Sequence, residues 1–154
     1  MSLREFPPRD AVCYRKARLR VRFPIQADDM KILVVEDQDS IRRMIEALVT
    51  GRGHDVVGVA NGAKALEVCM HDRPDIVLLD LNLPGHYDGF EVCRRLRMDP
   101  STRDVPIVII SALDDLASRE KAANAGATAY YTKPFSPIAL LKEIETLKVQ
   151  IGKN

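Results

Sequence analysis

A doubly wound α/β domain, with a five-stranded parallel sheet and helices on both faces, is the fold that three features of this sequence predict. Apolar runs of strand length alternate with segments whose apolar residues recur at helical spacing. Most of the runs are continuous rather than alternating, as in strands covered on both sides by helices. Five β–α repeats fit in the chain, short of the roughly eight units that a closed barrel requires. Parallel neighbours then need right-handed crossovers, which the intervening helices supply.

The strands are read at 31–35 (KILVV), 55–59 (DVVGV), 75–79 (DIVLL), 106–110 (PIVII) and 127–131 (ATAYY), the last being the least rich in Val and Ile. In the first helix Ile41, Met44, Ile45 and Leu48 recur at i, i+3, i+4 and i+7. Leu140, Leu141, Ile144, Leu147 and Ile151 mark the last helix in the same way. Asp39 and Ser136 are the expected N-caps, Pro137 suits a first helical position, and Gly51 and Gly126 suit helix ends. Asp99-Pro100 is a further stop. The segment 114–125 (DDLASREKAANA) reads as a helix with one large aliphatic residue, Leu116, and so as a lightly anchored one.

The chain of 154 residues has a one-domain length and can bury about two-thirds of the surface its unfolded form exposes. Residues 30–150 are assigned to the α/β domain, 1–29 to an N-terminal extension of unassigned role, and 151–154 to a tail. No apolar run approaches the roughly 20 residues of a transmembrane helix, and no secretory signal opens the chain. A cytoplasmic location without membrane attachment is expected. Cys13, Cys69 and Cys93 are odd in number and lack a C-x-x-C spacing, so neither a disulfide frame nor a zinc site is predicted. The net charge is +1, of which residues 1–29 carry +3 and the rest −2. A near-neutral body without a basic stripe argues against nucleic acid as its main partner.

Ligands of an open parallel sheet bind beyond the carboxyl ends of its strands. The first strand delivers Glu36 and Asp37 to that rim, the third Asp80, the fourth Ser111 and the fifth Lys133; the second offers only Val59-Ala60, as suits an edge strand. Taken singly, Asp80 is a strand-end cap, Ser111 a strand-end hydroxyl and Lys133 a solvated cation. Together they mean more. Three carboxylates in one place raise one another's pKa unless a cation sits among them, and Mg²⁺ is the cation that oxygen donors of this kind suit. One carboxylate is then free to act as a nucleophile toward phosphorus. Ser111 can donate to a phosphoryl oxygen of a phosphorylated Asp80, and Lys133 can meet the added charge.

These segments resemble the receiver domains of two-component response regulators. The matching pieces are KILVVED at 31–37, DIVLLDLNLPG at 75–85, DGFEVCRRLR at 88–97, VPIVIISA at 105–112 and AGATAYYTKPF at 125–135. The resemblance implies a flavodoxin-like fold of receiver type and a single-domain phosphorylation switch rather than an enzyme. It makes Asp80 the acceptor of a phosphoryl group from a phosphohistidine. It implies Mg²⁺ on Asp37, Asp80 and the carbonyl of Asn82, with Glu36 completing the acidic pair through metal-bound water. Ser111 would be the switch hydroxyl, Lys133 the phosphate-binding lysine before a cis-proline, and Tyr130 the aromatic switch. The implied partners are a sensor histidine kinase or histidine phosphotransfer protein, and a downstream protein docking on the face of the fourth helix, fifth strand and fifth helix. The chain would be a monomer or a phosphorylation-dependent dimer. It departs from the family at Gly85-His86-Tyr87, three residues between the loop proline and Asp88-Gly89 where two are usual.

Two rival functions are weaker. An aspartate-nucleophile phosphatase would carry a second Asp two residues after the nucleophile, where this chain has Asn82. A flavodoxin-like flavin carrier needs a hydroxyl- and glycine-rich phosphate loop after the first strand, and here Glu36-Asp37-Gln38-Asp39 would repel the phosphate. Residues 1–29 fall outside the resemblance. The alternation RLRVRF at 18–23 fits a strand or an extended basic arm for an acidic partner or membrane surface, but the simpler reading takes Met30, directly before the first strand, as the start.

Overall fold

The computed structural model describes residues 29–152. The basic alternation at 18–23 and Cys13 lie outside the described residues. Ten elements alternate: β1 (Lys31–Val35), α1 (Asp39–Thr50), β2 (Asp55–Val59), α2 (Gly62–His71), β3 (Ile76–Leu79), α3 (Gly89–Met98), β4 (Ile107–Ser111), α4 (Leu116–Ala125), β5 (Ala129–Thr132) and α5 (Pro137–Gln150). The strands form one parallel sheet in the order β2-β1-β3-β4-β5. The order reverses beside β1, so the carboxyl ends of β1 and β3 face the crevice where such sheets bind ligands.

Within each strand, successive side chains serve opposite faces. Leu33 and Val35 join a cluster with Val77, Leu79, Ile107 and Ile109 beneath α2 and α3, whereas Ile32 and Val34 join Ile76, Leu78, Val108 and Ile110 beneath α1 and α5. Burying each such aliphatic side chain contributes about 1.5–3 kcal/mol, which gives the rim above a rigid floor. In β5 the adjacent Tyr130 and Tyr131 pack against opposite clusters, as the alternation demands.

Helix starts follow the local chemistry. Asn61, Asp88, Asp115 and Ser136 each accept a backbone N–H from the first turn of α2, α3, α4 and α5 respectively. Pro137 opens α5, and Gly126 closes α4 in the left-handed region at φ 107°.

Several expectations are corrected. Asp39 is not the N-cap of α1; Gln38 is, without a side-chain bond, because the Asp39 carboxylate is taken by Arg42 one turn along. Gly51 does end α1, but with right-handed backbone (φ −61°), so its freedom goes unused. The second strand is not covered on both faces: Val57 is 48% exposed on the edge strand β2. The fourth strand starts at Ile107 rather than Pro106, which has no N–H to donate, and it takes in Ser111. The fifth runs from Ala129 to Thr132.

Helix α4 is as thinly anchored as its composition suggests. Ala122 is its one buried residue and Leu116 is 69% exposed. Its far end is held from α3, where Arg97 donates through Nε to the Gly126 carbonyl (2.9 Å) and through Nη1 to the Val105 carbonyl (2.6 Å).

Candidate functional site

The sheet carries its polar groups to one rim by continuing the parallel ladder just past the strands. The amide of Glu36 donates to the Val59 carbonyl (3.0 Å), that of Asp80 to Val35 (3.0 Å), and that of Lys133 to Ser111 (2.8 Å). These bonds fix the three backbones, so the side chains converge. Carboxylate oxygens of Glu36, Asp37 and Asp80 lie within 4.8 Å of one another. Glu36 is 2% and Asp80 5% exposed, while Asp37 faces solvent.

Lys133 reaches into this nest. Its Nζ donates to Glu36 Oε1 at 2.7 Å and to Asp80 Oδ2 at 3.1 Å. Backbone amides bond the other oxygen of each carboxylate, Gln38 N donating to Glu36 Oε2 (3.1 Å) and Asn82 N to Asp80 Oδ1 (3.2 Å), which leaves lone pairs on both. Burial pushes the Glu36 carboxyl above its ordinary value, against the Lys133 hydrogen bond that pulls it down. Burial alone would lower the Lys133 ammonium, but bonding and charge from Glu36 and Asp80 outweigh it and hold the pKa up. One ammonium thus faces three carboxylates, leaving negative charge unbalanced in a partly dry hollow. A small divalent cation fits that donor set: the donors are hard oxygens, and the exposed Asp37 leaves a side open to water and phosphate.

The flanks are built as tightly. Ser111 is fully buried, and its Oγ accepts the amide of Leu113 (3.1 Å). The Tyr130 hydroxyl donates to the Leu113 carbonyl (2.7 Å), so the hydroxyl and the aromatic residue meet on one loop. Lys133–Pro134 is a cis peptide. Gly89 opens α3 directly over the end of β3, where a Cβ would lie 2.3 Å from the Asp80 carbonyl oxygen. The longer loop after Asp80 turns at the exposed Gly85 (φ 91°) and brings Tyr87 back onto α2. A Cβ on Gly62 would come within 2.5 Å of the Tyr87 carbonyl oxygen. The ring of Tyr87 carries the Arg95 guanidinium at 4.6 Å.

Glu36, Asp37, Asp80 and Lys133, each singled out in the sequence, therefore meet in one hollow, with Ser111 and Tyr130 joined beside it. Asn82 is exposed at the rim and contributes its amide. Sequence reasoning missed the Gln38 amide and the Leu113 carbonyl, because backbone groups carry no residue signature. It also missed Arg42, whose Nη1 donates to the Glu36 carbonyl (2.8 Å) and braces the strand end.

The sheet is thus a parallel five-stranded one with an acidic, lysine-bridged hollow at its switch point. The response regulator receiver domain model matches residues 32–145, and the chain belongs to that family, a signalling family of two-component systems. It is 40% identical over 117 residues to the response regulator PleD of Caulobacter vibrioides, covering 76% of this chain and 26% of PleD. It is 39% identical over 123 residues to the "Probable transcriptional regulator ycf27" of Porphyridium aerugineum, covering 80% of this chain and 50% of that protein. The chain thus spans half or less of these curated relatives. The high-resolution structure of the chemotaxis response regulator CheY4 of Vibrio cholerae superposes with a TM-score of 0.72 at 30% identity, over 77% of this chain and 98% of that one. Among the described residues no helix is long and apolar enough to cross a membrane.

Proposed function

We propose that this chain is a phosphorylation switch in which Asp80 accepts a phosphoryl group from a phosphohistidine donor and passes the signal on by protein contacts. A carboxylate oxygen of Asp80 attacks phosphorus; the N–P bond breaks, its electron pair returns to the imidazole, and an acyl phosphate forms. Hydrolysis of that acyl phosphate by water resets the switch. Glu36, Asp37 and Asp80, with the carbonyl of Asn82, would hold Mg²⁺, which neutralises phosphoryl oxygens during transfer. The observation that carries the reading is the Lys133 ammonium 3.1 Å from the Asp80 carboxylate and 2.7 Å from Glu36, inside a cluster of three carboxylates.

Phosphorylation takes Asp80 from one negative charge to about two and adds strong acceptor oxygens. Lys133 swings its bonds to those oxygens, and Ser111 gives up the Leu113 amide to donate to one of them. Tyr130, already packed on the buried cluster and bonded to the Leu113 carbonyl, is then held there more firmly as the loop closes into the space beside Ser111. Driving such an equilibrium from about 1% to 99% takes roughly 5.5 kcal/mol of differential binding, to which charge-assisted hydrogen bonds contribute strongly. The lightly anchored α4 and its neighbours β5 and α5 are the face that shifts and that a downstream protein would read. In this reading residues 30–150 act as the switch, and 1–29 and 151–154 stand outside it.

The test is labelling by phosphoramidate, a small donor with an N–P bond, resolved on a phosphate-affinity gel. Wild type is expected to shift with Mg²⁺ and not with chelator, and Asp80→Asn is expected not to shift. A shift in Asp80→Asn, or none in wild type, would overturn the proposal.

A further inference from the structure

The first half of α4 is fastened to the domain by polar and stacking contacts rather than by apolar burial, Ala122 being the buried residue of the helix. The main fastening is at Arg119. Its guanidinium lies over the Tyr130 ring, 4.7 Å from the centroid, and its Nη2 bonds Asp114 Oδ1 at 3.0 Å. Asp114 belongs to the same loop as Leu113, whose carbonyl receives the Tyr130 hydroxyl at 2.7 Å. Leu113 in turn is tied through its amide to Ser111 Oγ. Ring, hydroxyl, loop and helix therefore close a circuit around Tyr130. Its ring packs on the buried cluster beneath α3 and α4, already in the inward position.

We propose that Arg119 is a positioning residue: paired with Asp114, it clamps Tyr130 inward and so biases the domain toward its signalling packing before any phosphoryl group arrives. This rests on the reading of Asp80 as phosphoacceptor and Tyr130 as aromatic switch given above. The clamp and the phosphoryl group stabilise the same Tyr130 position, so by linkage each strengthens the other. Removing the clamp must then weaken the binding of a phosphoryl analogue by the factor that a partly exposed cation–π contact supports, about two- to fivefold.

The experiment uses the full chain with ¹³C-labelled tyrosine, Mg²⁺ and beryllofluoride, and assigns Tyr130 by its loss in Tyr130→Phe. In ligand-free Arg119→Ala the Tyr130 signals should move away from their beryllofluoride-bound positions, and half-saturation should need about two- to fivefold more beryllofluoride. Arg119→Lys, which keeps the cation, should recover most of both effects, and Asp114→Ala should show a smaller change in the same direction. Unchanged Tyr130 signals in Arg119→Ala, or moved signals with equal or tighter beryllofluoride binding, would overturn the clamp. Should wild type take up no beryllofluoride, the phosphoacceptor reading fails, and the ligand-free Tyr130 signals alone then decide the clamp. Unaltered far-UV circular dichroism separates either outcome from misfolding.

Discussion

Replacing Lys133 by Met keeps the aliphatic stem and removes the one ammonium that faces Glu36 and Asp80. Both bonds are short, 2.7 and 3.1 Å, and both carboxylates are nearly buried, while the Lys133 side chain keeps 16% exposure. Breaking a buried pair and leaving its partner charged costs about 3–5 kcal/mol. The residual exposure, and the ease with which Glu36 takes a proton, place Lys133→Met at the lower end, about 3 kcal/mol near neutral pH. The sign with pH follows from linkage. Without the ammonium, the already raised Glu36 carboxyl binds its proton still more tightly in the folded chain than in the unfolded one, so the deficit is full above that raised value and shrinks as pH falls through it. Urea denaturation followed by far-UV circular dichroism reads both quantities, Trp being absent. Millimolar Mg²⁺ should restore part of the loss in the variant. A deficit below about 1 kcal/mol, or one that grows on acidification, would refute the account of a charge-strained nest.

Three further outcomes follow from the packing of the domain. Gly89→Ala should lose about 1–3 kcal/mol in the same denaturation assay, since its Cβ would meet the Asp80 carbonyl oxygen at 2.3 Å; a neutral effect would contradict the close crossing of α3 over β3. Burial and the Glu143 hydrogen bond push the Tyr131 phenol up to about 12. Its neutral form is favoured by folding, so that contribution is present below the ordinary value of about 10 and lost as pH climbs toward 12; a spectrophotometric titration should lose its latest phase in Tyr131→Phe. Burial drives the Cys69 and Cys93 thiols up to about 11, so in a Cys13→Ser background neither should react with a disulfide reagent under mild conditions until urea unfolds the chain.

What the sequence made legible, and what it hid, divides along physical lines. The continuous runs at 31–35 and 75–79 announce buried parallel strands because Val, Ile and Leu in both registers have no other stable place in a soluble domain. The run at 55–59 reads as a strand from its Val residues and as an edge from Val59-Ala60, which bring no polar group to the rim, and β2 does lie at the edge of the sheet. The acidic nest was readable because strand ends are chemically marked by Glu36, Asp37, Asp80 and Lys133. The partners that complete it were not. The Leu113 carbonyl and the Gln38 amide are anonymous in sequence, and Arg119 lies eleven residues from Tyr130 in chain but above its ring in space. The docking of Tyr87 on Gly62 joins two crossovers whose adjacency only the folded sheet creates.

In the proposed switch the buried carboxylate at 80, and not its exposed neighbour at 37, carries the acyl phosphate. Treatment with acetyl phosphate and Mg²⁺, reductive trapping by borohydride and peptide mass mapping tests it directly. One modified residue, Asp80, is expected in wild type. Modification at Asp37, or an equal yield of trapped product in Asp80→Asn, would contradict it.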